Sequence, residues 1–208
     1  LELSNVAGCD FGKHIIPHVF NNGGRIFSYE YNGYWKDVGT LESYWEANMG
    51  LVDIIPEFNL YEEYWKIYTK GDIITPQYIA STSVINKSII GEGVEIYGEV
   101  NNSVIGAGVV IEEGAVVNDS IVMKGSRIGA NSKINKAIIA ENSVVGKDCE
   151  IGAFDYCESN YDKKVYNCDL AVIGEKTNIP DGVVIGKNTA ILGNTTIDDY
   201  VVVFPKIA

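Results

Sequence analysis

Between Ile90 and Val203 an Ile or Val returns every six residues, and a small residue follows each one four places later. From Ile173 the beat runs through Ile179, Ile185, Ile191, Ile197 and Val203, with Thr177, Val183, Thr189, Thr195 and Val201 at the small positions. Gly follows the aliphatic directly at Gly174 and Gly186. Upstream, the same beat covers Ile90 and Ile96, then Ile105, Ile111 and Val117, then Val122, Ile128 and Ile134, then Ile139, Val145 and Ile151. It slips once per coil, at Ser88-Ile89-Ile90, Ser103-Val104-Ile105, Ser120-Ile121-Val122 and Ala137-Ile138-Ile139. A six-residue period of this kind predicts a parallel β-helix with three short strands per coil.

Each six-residue unit supplies one short strand and one corner, and no unit buries its own apolar side, so only stacked coils make a core. β-branched residues suit such a pleated, half-buried surface, and the Gly after them is expected to let the corner take positive φ. A long helix is excluded, because the apolar spacing is not three and four and Gly recurs throughout. At the end of the beat, Ile185 and Thr189 are expected to point inward and Lys187 and Asn188 to face water. The segment from Ala153 to Val172 interrupts the beat with Phe154, Tyr156, Tyr161 and Tyr166, among charges that suit either a solvated excursion or a contact surface.

The first seventy residues have a different texture, with all three tryptophans and no hexad beat. Asp10 is placed to cap a helix over Phe11 to Asn21, with Gly23-Gly24 as its stop and Pro17 as a possible kink. Alternation from Arg25 to Tyr31 predicts a strand, and Asn32-Gly33 a hairpin turn into Tyr34 to Val38. Thr40 then reads as the N-cap of a helix reaching about Ile55, before Pro56. Glu57 to Tyr78 reads as a connecting segment. The expected organisation is a partial α/β piece over 1–70 followed by a linker and solenoid over 71–208, a mainly β chain. Two helices and a hairpin close little core of their own, and a chain opening on Leu1 reads as the continuation of a longer one.

Charge narrows the partners. Sixteen basic and 28 acidic residues give a net charge of −12, which argues against nucleic acid and against an anionic membrane surface. Cys9, Cys149, Cys157 and Cys168 show no metal-binding spacing, and Cys149 falls on a small position of the repeat, where it reads as core filler. With no apolar run long enough to span a bilayer, the expected location is the cytoplasm, with reduced thiols.

Three motifs, Asp10-Phe11-Gly12-Lys13, Gly33-Tyr34-Trp35-Lys36-Asp37-Val38-Gly39-Thr40 and Tyr44-Trp45-Glu46-Ala47-Asn48-Met49, resemble the bacterial glucose-1-phosphate adenylyltransferase family. The resemblance extends through Phe58-Asn59-Leu60-Tyr61, Trp65-Lys66-Ile67-Tyr68 and Pro76-Gln77-Tyr78 into the solenoid. It implies a nucleotidyltransferase domain followed by a left-handed β-helix, and the handedness comes from the family rather than from the spacing. It also implies formation of ADP-glucose and pyrophosphate from ATP and glucose 1-phosphate, with Mg2+, for glycogen synthesis, in a homo- or hetero-oligomer contacting through the β-helix. The family's Gly-rich phosphate loop, first catalytic carboxylate and sugar-phosphate lysine have no counterpart here. Gly23-Gly24 is not that loop, since it follows a helix rather than a strand. The chain alone is therefore expected to be inactive.

Among the residues present, Asp37 is the candidate catalytic carboxylate and metal ligand, since sugar nucleotidyltransferases related to that family place an Asp at the corresponding Asp-Val-Gly-Thr position to share Mg2+ with an earlier carboxylate. A hard cation of that kind offsets charge on the leaving pyrophosphate. Without the family, an Asp before Gly-Thr also reads as a turn or cap residue. Trp35, two places from Asp37, is the candidate substrate-binding residue or else core. Lys36 defaults to solvent. His14 and His18 lie four apart, a metal-like spacing without a third ligand. Two other functions fit parts of the chain. A non-catalytic oligomerisation or regulatory module of the same enzyme suits the extended solenoid flanks. A hexapeptide-repeat acyltransferase needs a catalytic His, and both histidines lie outside the solenoid.

Overall fold

The computed structural model describes residues 10–68, 75–153, 163–166 and 168–200. The chain divides into two compact units between Trp35 and Lys36.

The second unit is a parallel β-solenoid of about six turns, built on three six-stranded sheets among the described residues. The first sheet holds β1 (Tyr78–Ile79), β4 (Glu95–Ile96), β7 (Val110–Ile111), β10 (Arg127–Ile128), β13 (Val144–Val145) and β16 (Asn178–Ile179). The second holds β2 (Val84–Asn86), β5 (Glu99–Asn101), β8 (Val116–Asn118), β11 (Lys133–Asn135), β14 (Glu150–Ile151) and β17 (Val184–Ile185). The third holds β3 (Ile89–Ile90), β6 (Val104–Ile105), β9 (Ile121–Val122), β12 (Ala137–Ile139), β15 (Ala171–Ile173) and β18 (Ala190–Ile191). Each strand pairs with its counterpart one coil away. On the third sheet Ile89 meets Val104, Val104 meets Ile121 and Ile121 meets Ile138, which is the expected series of 15, 17 and 17 residues. Ile138 then meets Val172, so one coil absorbs the excursion that interrupts the beat.

The beat residues from Ile96 to Ile185 form one continuous buried core. The serines at the slips and at the small positions do more than save space. Ser88 Oγ accepts the Ser103 N–H, Ser103 Oγ accepts the Ser120 N–H, and Ser120 Oγ accepts the Ala137 N–H, at 3.0–3.1 Å. Backbone donors at a corner where the ladder breaks are thereby satisfied. Ser132 does the same for the Cys149 N–H at 2.9 Å. No buried side-chain nitrogen or oxygen among the described residues lacks a partner.

The glycine after the aliphatic takes the expected positive φ at Gly152, 78°, but has a different role at Gly129. Gly129 does not occupy the left-handed region; a Cβ there would lie 2.4 Å from the Gly146 carbonyl oxygen of the next coil. It is Gly because coils stack backbone to backbone at that point, and the positive φ falls two residues later, on Asn131 at 59°. Asn and Asp tolerate that conformation best among residues with a Cβ.

Two details at the end of the beat also differ. Asn188 is 3% exposed rather than facing water, because its Oδ1 accepts the Asp169 N–H at 2.7 Å where the chain re-enters the third sheet. Ile197 lies in a 3-10 turn, Ile197–Tyr200, and is 52% exposed, so the beat ends at Ile191. That turn packs Tyr200 against the core, with its hydroxyl 2.6 Å from Thr195 Oγ1. Val201 and Val203, and Phe154, Tyr156 and Tyr161 of the excursion, lie outside the described residues, while Tyr166 ends the short helix α3 (Lys163–Tyr166).

In the first unit Asp10 caps as expected, its Oδ1 accepting the Lys13 N–H at 2.7 Å. The helix opens as a π turn, Phe11–Ile15, and becomes the α-helix α1 only at Ile16–Asn21. Pro17 sits in the first turn of α1, where its missing N–H is harmless. No strand or hairpin forms from Arg25 to Val38. Alternation alone does not make a strand; a ladder partner must bond the backbone, and here Phe27 and Tyr29 are exposed. In the second unit the helix opened by Thr40 is α2 (Leu41–Gly50), ending at Gly50 rather than near Ile55, with Ile54 and Ile55 exposed beyond it.

Candidate functional site

The segment carrying Asp37 is fixed by three local contacts. One Asp37 carboxylate oxygen, Oδ1, accepts the Gly39 N–H at 3.0 Å, a turn of the kind Asp favours before Gly. Thr40 and Ser43 cap α2 reciprocally: Thr40 Oγ1 accepts the Ser43 N–H and Ser43 Oγ accepts the Thr40 N–H, both at 3.1 Å. Lys36, read as a solvent residue, reaches Glu46 on α2, Nζ to Oε2, at 2.8 Å. Asp37 is exposed, with its second oxygen, Oδ2, directed at no protein donor among the described residues.

Helix α2 in turn is seated on the solenoid. Leu41, Tyr44, Trp45 and Met49 pack on Ile121, Ile138 and Leu170, which face outward from or flank the third sheet and which Val172 also packs against. Trp45 Nε1 donates to the Asp119 carbonyl at 2.8 Å, and Lys136 Nζ lies 5.5 Å from the centre of the Trp45 ring, a cation–π contact. Past the helix, Val52 is buried and Asp53 pairs with Lys87 of the first coil at 2.8 Å. The Asp37 turn, α2 and coils 87–90, 119–138 and 168–172 thus form one connected construction within the second unit. Sequence reasoning missed this seat, although a signal was there: the outward positions of the third sheet are aliphatic in every coil, whereas those of the other two sheets mix Val110, Val116, Val144 and Val184 with Glu95, Glu99, Arg127, Lys133 and Glu150.

Trp35 lies at the other side of the division between the units, 75% exposed and outside any strand. His14 Nδ1 accepts the Asp10 N–H at 3.3 Å, serving the helix end. Among the described residues no three His, Cys, Asp or Glu side chains converge as a metal cluster. Cys149 lies in the core at its small position of the repeat, and burial pushes its thiol above the ordinary range. No helix among the described residues is long and apolar enough to cross a membrane.

A hard divalent cation fits Asp37 as a single-oxygen ligand. Oδ1 is held by the Gly39 N–H while Oδ2 meets no donor among the described residues, so Asp37 would supply one ligand oxygen and other groups the rest.

Residues 99–207 match the family model for the GMPPB C-terminal domain, and residues 4–53 match that for nucleotidyl transferase. The chain is 64% identical over 200 residues to a glucose-1-phosphate adenylyltransferase from Lachnospira eligens, covering 96% of this chain and 47% of that protein. Proteins of the same name from Fervidobacterium nodosum and Thermosipho africanus are 46% and 52% identical, over 93% and 88% of this chain and 48% and 44% of theirs. The chain therefore spans about half the length of the curated relatives it matches.

Proposed function

The chain belongs to the family of the GMPPB C-terminal domain and matches the C-terminal part of glucose-1-phosphate adenylyltransferases, and from that premise we propose that it serves as the C-terminal part of such an enzyme. The reaction joins ATP and glucose 1-phosphate into ADP-glucose and releases pyrophosphate, in the cytoplasm, with subunits meeting through the solenoid. The single observation that carries this reading is the 64% identity over 200 residues, which cover 96% of the chain and so take in both units.

In this reading Asp37 is the carboxylate this chain contributes to the reacting centre, and Trp35 lies against the sugar. Asp37, with ligands from the preceding domain, would hold Mg2+, and the bound cation would supply neutralisation of charge on the phosphates. The chain's own residues do the positioning. The Gly39 N–H and the Thr40–Ser43 cap hold Asp37 at one end of α2, and α2 holds it to the solenoid. An acyltransferase reading has no base to work with, since both histidines lie in or beside α1 and not on the coils.

The test joins this chain to the N-terminal half of the Lachnospira eligens relative and measures pyrophosphate release. The fusion should turn over ATP with glucose 1-phosphate, and the 208-residue chain alone should give background. A folded fusion without turnover, or turnover by the chain alone, would overturn the reading.

A further inference from the structure

Two Asn-Gly pairs occur in this chain, Asn22-Gly23 and Asn32-Gly33, and the fold treats them oppositely. Asn-Gly is the sequence in which a backbone nitrogen most readily reaches the preceding side-chain carbonyl, because Gly presents no Cβ to block the approach and moves freely in φ and ψ. Ring closure needs two things besides: a side-chain amide free to turn back on the chain, and a following N–H free to lose its proton.

At Asn22 neither is free. Its Nδ2 donates to the His18 carbonyl at 2.7 Å, and the Gly23 N–H donates to Phe20 at 3.2 Å, both as part of the C-terminal end of α1. The Asn-Ser pairs of the solenoid are held in the same way. Asn102, Asn131 and Asn142 sit in the left-handed corners, and the Ser N–H that follows each is bonded, Ser103 to Ser88 Oγ, Ser132 to the Gly129 carbonyl and Ser143 to Ser126 Oγ. At Asn32-Gly33 the situation is reversed. Asn32 is exposed, and among the described residues neither its side chain nor the Gly33 N–H has a hydrogen-bond partner. The Tyr31 hydroxyl occupies the place a Gly33 side chain would need, 2.1 Å from the position of an added Cβ, which keeps this residue Gly unless Tyr31 moves aside.

We infer that Asn32 is a site of spontaneous deamidation, by way of a succinimide with Gly33. The Gly33 nitrogen, losing its proton, attacks Asn32 Cγ; the new C–N bond closes the ring, the Cγ–Nδ2 bond breaks and ammonia leaves with that proton. Water then opens the ring at one of its two carbonyls, giving Asp at one and isoaspartate at the other, with no oxidant or reductant required. Either product adds a negative charge to a chain already at −12, and isoaspartate also inserts a methylene into the backbone that leads to Asp37.

Trypsin separates the two pairs cleanly, since Asn22 falls in the peptide His14–Arg25 and Asn32 in Ile26–Lys36. The purified chain is held in warm, mildly alkaline buffer and sampled by peptide mass mapping. Ile26–Lys36 should gain the mass of about 1 Da that exchange of amide for acid produces, as two chromatographic isomers, several-fold faster than His14–Arg25. In denaturant the two peptides should react at comparable rates, and Asn32→Gln should leave Ile26–Lys36 unshifted. Equal rates in the folded chain, a difference that persists unchanged in denaturant, or a shift of that peptide in the Gln variant would overturn the inference.

Discussion

Asp37 spends one carboxylate oxygen on its own turn and keeps the other clear of the protein, which is what a residue needs if it is to be held still and still bind something. Removing the charge while keeping the amide-accepting oxygen separates the two roles. In the active fusion, Asp37→Asn should lower kcat by roughly a hundredfold, about 3 kcal/mol of transition-state stabilisation, with the thermal midpoint unchanged. Near-normal kcat would return Asp37 to a purely structural turn. Asn188 shows the same division at a purely structural position. Its buried Oδ1 takes the Asp169 N–H, so Asn188→Ala should destabilise the last coils by about 1 kcal/mol, the usual net worth of one hydrogen bond, measurable in a denaturant titration. At this scale the sequence was legible where a residue answers to its neighbours in the chain, as Asp10 and Thr40 do in capping their helices. It was not legible where the partner is distant: nothing near Asn188 announces that Asp169 will arrive beside it, and nothing near Gly129 announces the Gly146 backbone.

Among the elements, α2 is the one whose destination matters most. Its spacing predicts a helix and a cap, yet local pattern carries no statement of what the apolar stripe will meet. The answer lay in the third sheet, where Ser-Ile-Ile and Ser-Val-Ile triplets put aliphatic residues on both faces of a strand, one inward to the core and one outward to a cover. A strand apolar on both faces needs two layers against it. The strand expected from Arg25 to Tyr31 failed for the complementary reason: it alternates well, but the described residues offer no ladder to join. The Trp45 contact tests the seating of α2 directly. Trp45→Phe keeps a smaller aromatic surface under Lys136 and loses the bond to the Asp119 carbonyl with part of the ring contact, a change of about 1 kcal/mol for the bond. Trp45→Ala removes the packing as well and should cost about 2 kcal/mol or more, which is enough to loosen the helix. Amide hydrogen exchange over Leu41–Gly50 should rise strongly in the Ala variant and slightly in the Phe variant, while exchange across β5 to β14 stays as it was. Equal exchange in all three proteins would mean that α2 is not held by this contact.

For the molecule as a whole, the solenoid is quasi-one-dimensional, since each coil touches only the coils beside it. This is why its architecture was readable from period alone: every repeat restates the same inward aliphatic, and the core from Ile96 to Ile185 follows with no long-range information beyond stacking. The same geometry makes the effect of one buried charge depend on where along the axis it falls. Ile134 and Ile185 sit on the same sheet with the same inward orientation, Ile134 with neighbours at Val117 and Ile151, Ile185 paired on one side to Ile151. An Asp at either site places an unpaired charge in an aliphatic core, which the protein avoids by protonating it or by opening around it. At Ile185 opening is cheap, because only the last coil need come apart. At Ile134 it would split the stack in two. Ile134→Asp should therefore lower the global thermal midpoint by the equivalent of several kcal/mol, whereas Ile185→Asp should leave most of that midpoint in place and lose amide protection only across β16, β17 and β18. Lys187→Asp, on a partly exposed position beside Ile185, should change both measurements little. Thermal melts paired with hydrogen exchange resolve the three variants, and equal global losses at Ile134 and Ile185 would mean that the coils unfold as one indivisible block rather than as coupled neighbours.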